Sequence, residues 1–123
     1  MKKLLLVFLF CFCAQALHAQ QGDWDTLNHR ATTYLRDLIR INTALPDPQE
    51  LKAARYIYKQ FNRYHLDWDI FIPVKGRANL MARLKGTDPH QKPLLLISHL
   101  DTVPAAEGWT VPPFEATVKD GRI

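Results

Sequence analysis

Between residues 26 and 41 the apolar side chains Leu27, Ala31, Tyr34, Leu35 and Leu38 recur at i, i+4, i+7, i+8 and i+11. That spacing lines one face of an α-helix. Asp23 and Asp25 stand just before it, where carboxylates meet the positive end of the helix dipole. The stretch "NTALPDP" breaks the period and predicts a loop. A second helix is predicted from about Pro48, with Asp47 as cap, Pro48 at the first helical position and Glu50 completing a capping box. Its apolar stripe is Leu51, Ala54, Tyr58 and Phe61, and "NRYH" ends it.

The period then changes from helical to two. In "LDWDIFI", Leu66, Trp68, Ile70 and Ile72 share one face; in "NLMARLKG", Leu80, Ala82 and Leu84 do the same. "VKGR" between them reads as a turn, so the two strands are expected to pair as neighbours. "PLLLIS", 93–98, does not alternate. An unbroken apolar run of this length predicts a strand covered on both faces at the centre of a sheet. After a Gly- and Pro-rich loop, "FEATVKDGRI" alternates into Asp120-Gly121, a strong hairpin signal. The returning arm has barely begun at Ile123, which predicts the front part of a longer protein.

The first twenty residues depart from this pattern. Lys2 and Lys3 precede an unbroken apolar stretch over residues 4–13, and Ala14, Ala16 and Ala19 follow. This is the layout of a secretory signal peptide over residues 1–20, cleaved after Ala19 or Ala16, and it predicts an exported, periplasmic or secreted protein. The stretch is shorter than the roughly 20 residues a membrane span needs, so no membrane association is expected after cleavage. A short hydrophobic core helix is the plain alternative. Lipidation at Cys11 or Cys13 is disfavoured because Phe10 and Phe12 precede them.

Charge and cysteine content change meaning once that segment is set aside. The whole chain carries 16 basic and 12 acidic residues, a net +4. Without Lys2 and Lys3 the balance is fourteen to twelve, a net +2. Lys75, Arg77, Arg83 and Lys85 cluster at strand-and-turn spacing with no aromatic interleaving, which predicts a solvated sheet face and excludes a nucleic-acid partner. Both cysteines lie in the leader, so the remainder cannot use disulfides. An apolar fraction of 47% with 23% charged residues suits a globular chain.

The chemistry concentrates where the apolar run stops, in "SHLDTVP". In open α/β sheets ligands bind beyond the carboxyl ends of strands. In extended backbone residues i and i+2 point the same way, so the Asp101 carboxylate can reach the His99 imidazole. A carboxylate on one ring nitrogen sets the tautomer and leaves the other nitrogen for a metal. The bland reading of the same triplet is the start of an ordinary loop. Trp109 and Phe114 either wall a substrate or pack their loop against the domain; Thr102 either bonds to the His-Asp pair or shapes a turn.

Taken together, "LLLISHLDTVPA", Trp109, "PPF" at 112–114 and "VKDGRI" at 118–123 resemble the metallopeptidase M20 family, the di-zinc aminoacylases, carboxypeptidases and dipeptidases related to acetylornithine deacetylase and succinyl-diaminopimelate desuccinylase. The resemblance runs from about residue 26 to 123 and takes in "RANLMARLKG" and the leading helices. It implies an α/β catalytic domain over 21–123, incomplete at its carboxyl end, with helices packed on a mixed sheet. It implies His99 as the first zinc ligand and Asp101 as the catalytic residue that orients it, two zinc ions in the full-length enzyme, and a glutamate acting as general base on the water between them. The bridging aspartate, the Glu pair and the remaining ligands fall beyond residue 123 in this family. Since zinc sites need three or four protein ligands, residues 1–123 alone are expected to bind zinc poorly and to be inactive. His29, His65 and His90 lack ligand spacing and read as surface histidines. The implied substrate is a small peptide or an N-acyl amino acid, and the implied homodimer contact runs through the family's second domain. Within the family the alternative activity is N-acyl amino acid deacylation; outside enzymes, the rival is an exported, non-catalytic α/β binding module.

Overall fold

The computed structural model describes residues 23–47 and 49–123. The expected leader and Pro48 lie outside the described residues. Two compact units are distinguished, Met1–Tyr34 and Leu35–Ile123. Four regular elements follow one another: α1 (Trp24–Ile39), α2 (Glu50–Arg63), β1 (Asp67–Phe71) and β2 (Asn79–Arg83). The division between units falls within α1.

In the first unit α1 starts two residues before the predicted position, because Asp23 itself is the cap. Its Oδ1 accepts from the Thr26 backbone N–H at 3.0 Å, satisfying one of the donors that a helix start leaves unpaired. Hydrogen bonds from Thr26, the side chain foremost and then the backbone, hold the Asp23 carboxyl below its usual value of 3.8. Asp25 falls inside the first turn. His29 is exposed on this helix.

In the second unit α2 begins at Glu50, two residues later than predicted, and no side chain caps it. The capping box is not formed: Asp47 accepts instead from the Gln49 side-chain amide at 3.1 Å, and Glu50 is buried. The buried residues of α2 are Glu50, Ala53 and Ala54, so the inward face is rotated from the expected stripe. The helix ends in a Schellman motif: Leu66 N–H donates to the Phe61 carbonyl and His65 N–H to that of Asn62, both at 3.2 Å. His65 occupies the left-handed position with φ 53°.

β1 and β2 pair as neighbours, as predicted, and run antiparallel; Trp68 stands opposite Ala82 and Ile70 opposite Leu80, so the two apolar faces coincide. The turn between them closes through Arg77 N–H to the Val74 carbonyl at 3.2 Å. Gly76 takes φ 86° there, the third-position geometry of a type II turn that favours glycine. Helix α2 packs on this hairpin. The Tyr58 and Trp68 rings stack at 4.7 Å, and Trp68 Nε1 donates to Asn62 Oδ1 at 2.6 Å. Tyr56 reaches back to the end of α1, its hydroxyl donating to Asp37 Oδ2 at 2.8 Å.

The α/β class stands, but the described sheet has two antiparallel strands and is not mixed. Residues 93–98 are not a central strand: they join no sheet among the described residues, and Leu94, Leu95, Leu96 and Ile97 are 76–85% exposed. A strand buried on both faces needs hydrogen-bonded neighbours and a layer above and below, and the described residues supply neither. Among the described residues the buried apolar side chains are all alanines, Ala44, Ala53, Ala54, Ala78 and Ala116. Each Leu or Ile left in water forgoes about 1.5–3 kcal/mol of burial. The last hairpin signal survives as a turn: Lys119 and Arg122 exchange both backbone hydrogen bonds, at 2.9 and 3.0 Å. Asp120 and Gly121 between them take φ 51° and 72°, as a type I′ turn requires.

Candidate active site

Within the second unit an open cleft of about 690 Å³ lies between α2, β2 and residues 95–101. Ile57 and Phe61 of α2, Leu80 of β2 and the apolar run form its greasy walls. Glu50, Arg77, His99 and Asp101 form its polar end. The apolar run therefore reaches the cleft as chain outside any strand.

His99 Nδ1 lies 3.2 Å from Asp101 Oδ1, the contact that the i, i+2 spacing allows. A neutral imidazole in this arrangement donates from Nδ1 and keeps the Nε2 lone pair for another partner. The His99 side chain is almost fully exposed, so that nitrogen is accessible. Asp101 Oδ2 faces Arg77 Nη2 at 3.7 Å, and the same Nη2 lies 2.9 Å from Glu50 Oε1. The four charged or titratable groups thus form a line from the start of α2 to the imidazole.

Backbone contacts hold both ends of this line. Leu51 N–H donates to the Gly76 carbonyl at 2.9 Å, tying the first turn of α2 to the turn that carries Arg77. On the other side Thr102 pairs with Ala44 in an isolated parallel bridge, and Ala44 N–H is held by Asn42 Oδ1 at 2.9 Å. Thr102 therefore has a backbone role in anchoring the segment that bears His99 and Asp101.

Glu50 and Arg77 were misplaced by sequence reasoning, the first as a cap and the second as part of a solvated basic face. One signal was available. Glu50 falls i−3 and i−4 from Ala53 and Ala54, so a carboxylate occupies a position of the inward stripe, and a buried carboxylate requires a cation. Which cation answers it depends on the hairpin turn and is not readable from α2.

Zinc coordination can be tested against these donors. His99, with Nδ1 turned to a carboxylate and Nε2 open, has the form of a metal ligand with its orienting partner. Among the described residues no group of three or more His, Cys, Asp or Glu side chains gathers where a metal could sit. His65 and His90 are exposed, at a helix end and in a loop. The described residues thus fit one corner of a zinc site and do not complete one. Trp109 is exposed and Phe114 half-buried.

Comparison with known proteins finds sequence relatives that are named as enzymes. The chain is 35% identical over 96 residues to the N-fatty-acyl-amino acid synthase/hydrolase PM20D1 of Bos taurus, covering 72% of this chain and 19% of that protein. It is 28% identical over 85 residues to Aminoacylase-1 of Dictyostelium discoideum, covering 68% and 21%. It is 33% identical over 91 residues to a probable succinyl-diaminopimelate desuccinylase of Staphylococcus epidermidis, covering 72% and 21%. The chain spans about a fifth of the length of these curated relatives. No family model matches it, and no solved structure matches it significantly.

Proposed function

Because the chain belongs to the M20 family of peptidases and amidohydrolases, we propose that it is the amino-terminal part of an exported, zinc-dependent hydrolase that cleaves the amide bond of small N-acyl amino acids. The observation that carries this reading is the similarity over about 70% of the chain to relatives named as an N-fatty-acyl-amino acid synthase/hydrolase, an aminoacylase and a probable desuccinylase. Those names favour an N-acyl amino acid over a plain peptide as substrate.

His99 would hold zinc through Nε2, and Asp101 would orient it from Nδ1. Bound zinc supplies Lewis-acid polarisation of the amide carbonyl and activation of the attacking water. This chain's own contribution is geometric: Asp101 keeps the imidazole in one tautomer, and the apolar cleft beside it offers burial to an acyl chain. The remaining ligands and the general base belong to sequence beyond residue 123, which also supplies neighbours for the exposed run at 94–97. Residues 1–20 act as the export signal, and the second domain of the family supplies the homodimer contact.

The test is hydrolysis by the complete encoded protein, loaded with zinc, of paired N-acyl amino acids and dipeptides. Cleavage of the acyl substrates, abolished by a chelator and restored by zinc, is the expected result. Cleavage of dipeptides alone would overturn the substrate class, and no cleavage of either would overturn the hydrolase. Mass spectrometry of the exported protein should find a mature terminus after Ala19 or Ala16; retention of residues 1–20 would remove the export reading.

A further inference from the structure

We propose that Arg77, pinned by the buried carboxylate of Glu50, is a positioning residue that sets the rotation of the Asp101 carboxylate and through it the tautomer of His99. The proposal rests on the reading of His99 as a metal ligand.

The two oxygens of Asp101 face different partners. Oδ2 looks toward Arg77 Nη2 at 3.7 Å and Oδ1 toward His99 Nδ1 at 3.2 Å. A carboxylate with one oxygen attracted to a cation loses freedom about its Cβ–Cγ bond, and the other oxygen is then aimed at the imidazole. Asp101 is half-exposed, so without that attraction water competes for both oxygens. An exposed His-Asp pair on extended chain holds its geometry weakly.

Arg77 can do this because it is itself restrained. The Glu50 side chain is 4% exposed, and neither of its oxygens receives a hydrogen bond from the described residues. A carboxylate so placed depends on its one close cation, Arg77 Nη2 at 2.9 Å. Its attraction fixes the guanidinium, and the Leu51–Gly76 backbone bond fixes the distance between the two elements. Arg77 thus neutralises a buried charge with one nitrogen and directs that same nitrogen toward the pair that orients the ligand. Lysine, a strongly hydrated ammonium on a flexible stem, does not hold its charge in a fixed place between the two carboxylates as the planar, weakly hydrated guanidinium does.

The experiment uses the complete encoded protein and two variants. Arg77→Lys keeps the charge and loses the rigid, planar guanidinium that holds it in place. Glu50→Met with Arg77→Met removes both charges together, so no buried carboxylate is left unpaired and the fold is retained. Zinc affinity is read by competition with a chromogenic chelator, and the His99 tautomer by nitrogen-15 NMR of the metal-free protein at a pH where imidazole is neutral. Both variants are expected to bind zinc about tenfold more weakly, as loss of an outer-sphere partner does. Both should show a mixture of tautomers where the parent shows Nδ1–H. Parental zinc affinity and tautomer in the folded double variant would overturn the positioning role. Asp101→Asn and His99→Ala separate the two ideas: if both weaken zinc binding while the double variant does not, only the role of Arg77 fails. If His99→Ala leaves zinc affinity unchanged, the metal-ligand reading itself fails.

Discussion

Replacing Arg77 by methionine isolates the cost of leaving a carboxylate in the interior without its cation. At 2.9 Å and an effective dielectric of about 20, the attraction to Glu50 is about 6 kcal/mol. That figure is an upper bound, because the Arg77 side chain is 40% exposed and keeps much of its hydration. Screening of the exposed partner halves it to about 3 kcal/mol, at the low end of the cost of orphaning one member of a buried pair. Glu50→Met alone leaves Arg77 free to turn into water and should cost about 1 kcal/mol. The double methionine variant should lie within about 1 kcal/mol of the parent, because apolar groups of similar volume replace a buried pair at little net cost. Urea unfolding followed by tryptophan fluorescence reports all three, since Trp68 stacks on Tyr58 of the helix that carries Glu50. A single Arg77→Met variant as stable as the parent, or a double variant as unstable as that single one, would refute the reasoning: Glu50 would then not depend on Arg77.

Three further outcomes follow from the local geometry. His65→Gly should stabilise the protein by about 1 kcal/mol in the same urea assay, because His65 holds φ 53° at the helix end, where a residue with a Cβ is strained and glycine is not. Asp23 has a folded-state pKa below its usual 3.8. Its contribution to α1 is therefore complete above that value and is lost as pH falls through the lowered one; helical circular dichroism should fall over that window and fall less in Asp23→Asn. Trp68→Phe keeps a ring against Tyr58 but loses the bond to Asn62, and should cost about 1 kcal/mol, whereas Trp68→Ala loses both and should cost about 2 kcal/mol by thermal unfolding.

Both helices were legible because each carries a face with a period near 3.6, and the hairpin because each strand alternates and a turn separates them. The ends of these elements were less legible. α1 starts where Asp23 caps it and not where its apolar face begins, and α2 starts at Glu50 because that residue is drawn inward to Arg77, not outward to cap a helix. The final turn at Asp120 and Gly121 was legible since two successive positive φ angles restrict the residues that tolerate them. The run at 94–98 misled: five apolar or small residues report a preference for burial, and burial also requires something to be buried against.

The chain's own letters determined the properties that neighbouring residues settle among themselves: two helices, one hairpin, two turns and the approach of Asp101 to His99, since i and i+2 of an extended segment share a side. Tertiary structure alone decided that Glu50 faces Arg77, that Arg77 also faces Asp101, and that Ala44 holds Thr102. These contacts join residues far apart in sequence, and local periodicity states which side of an element is apolar without stating what stands opposite it. A charge on an inward face is visible in sequence as a demand; the partner that meets it is chosen by the packing of a turn against a helix end.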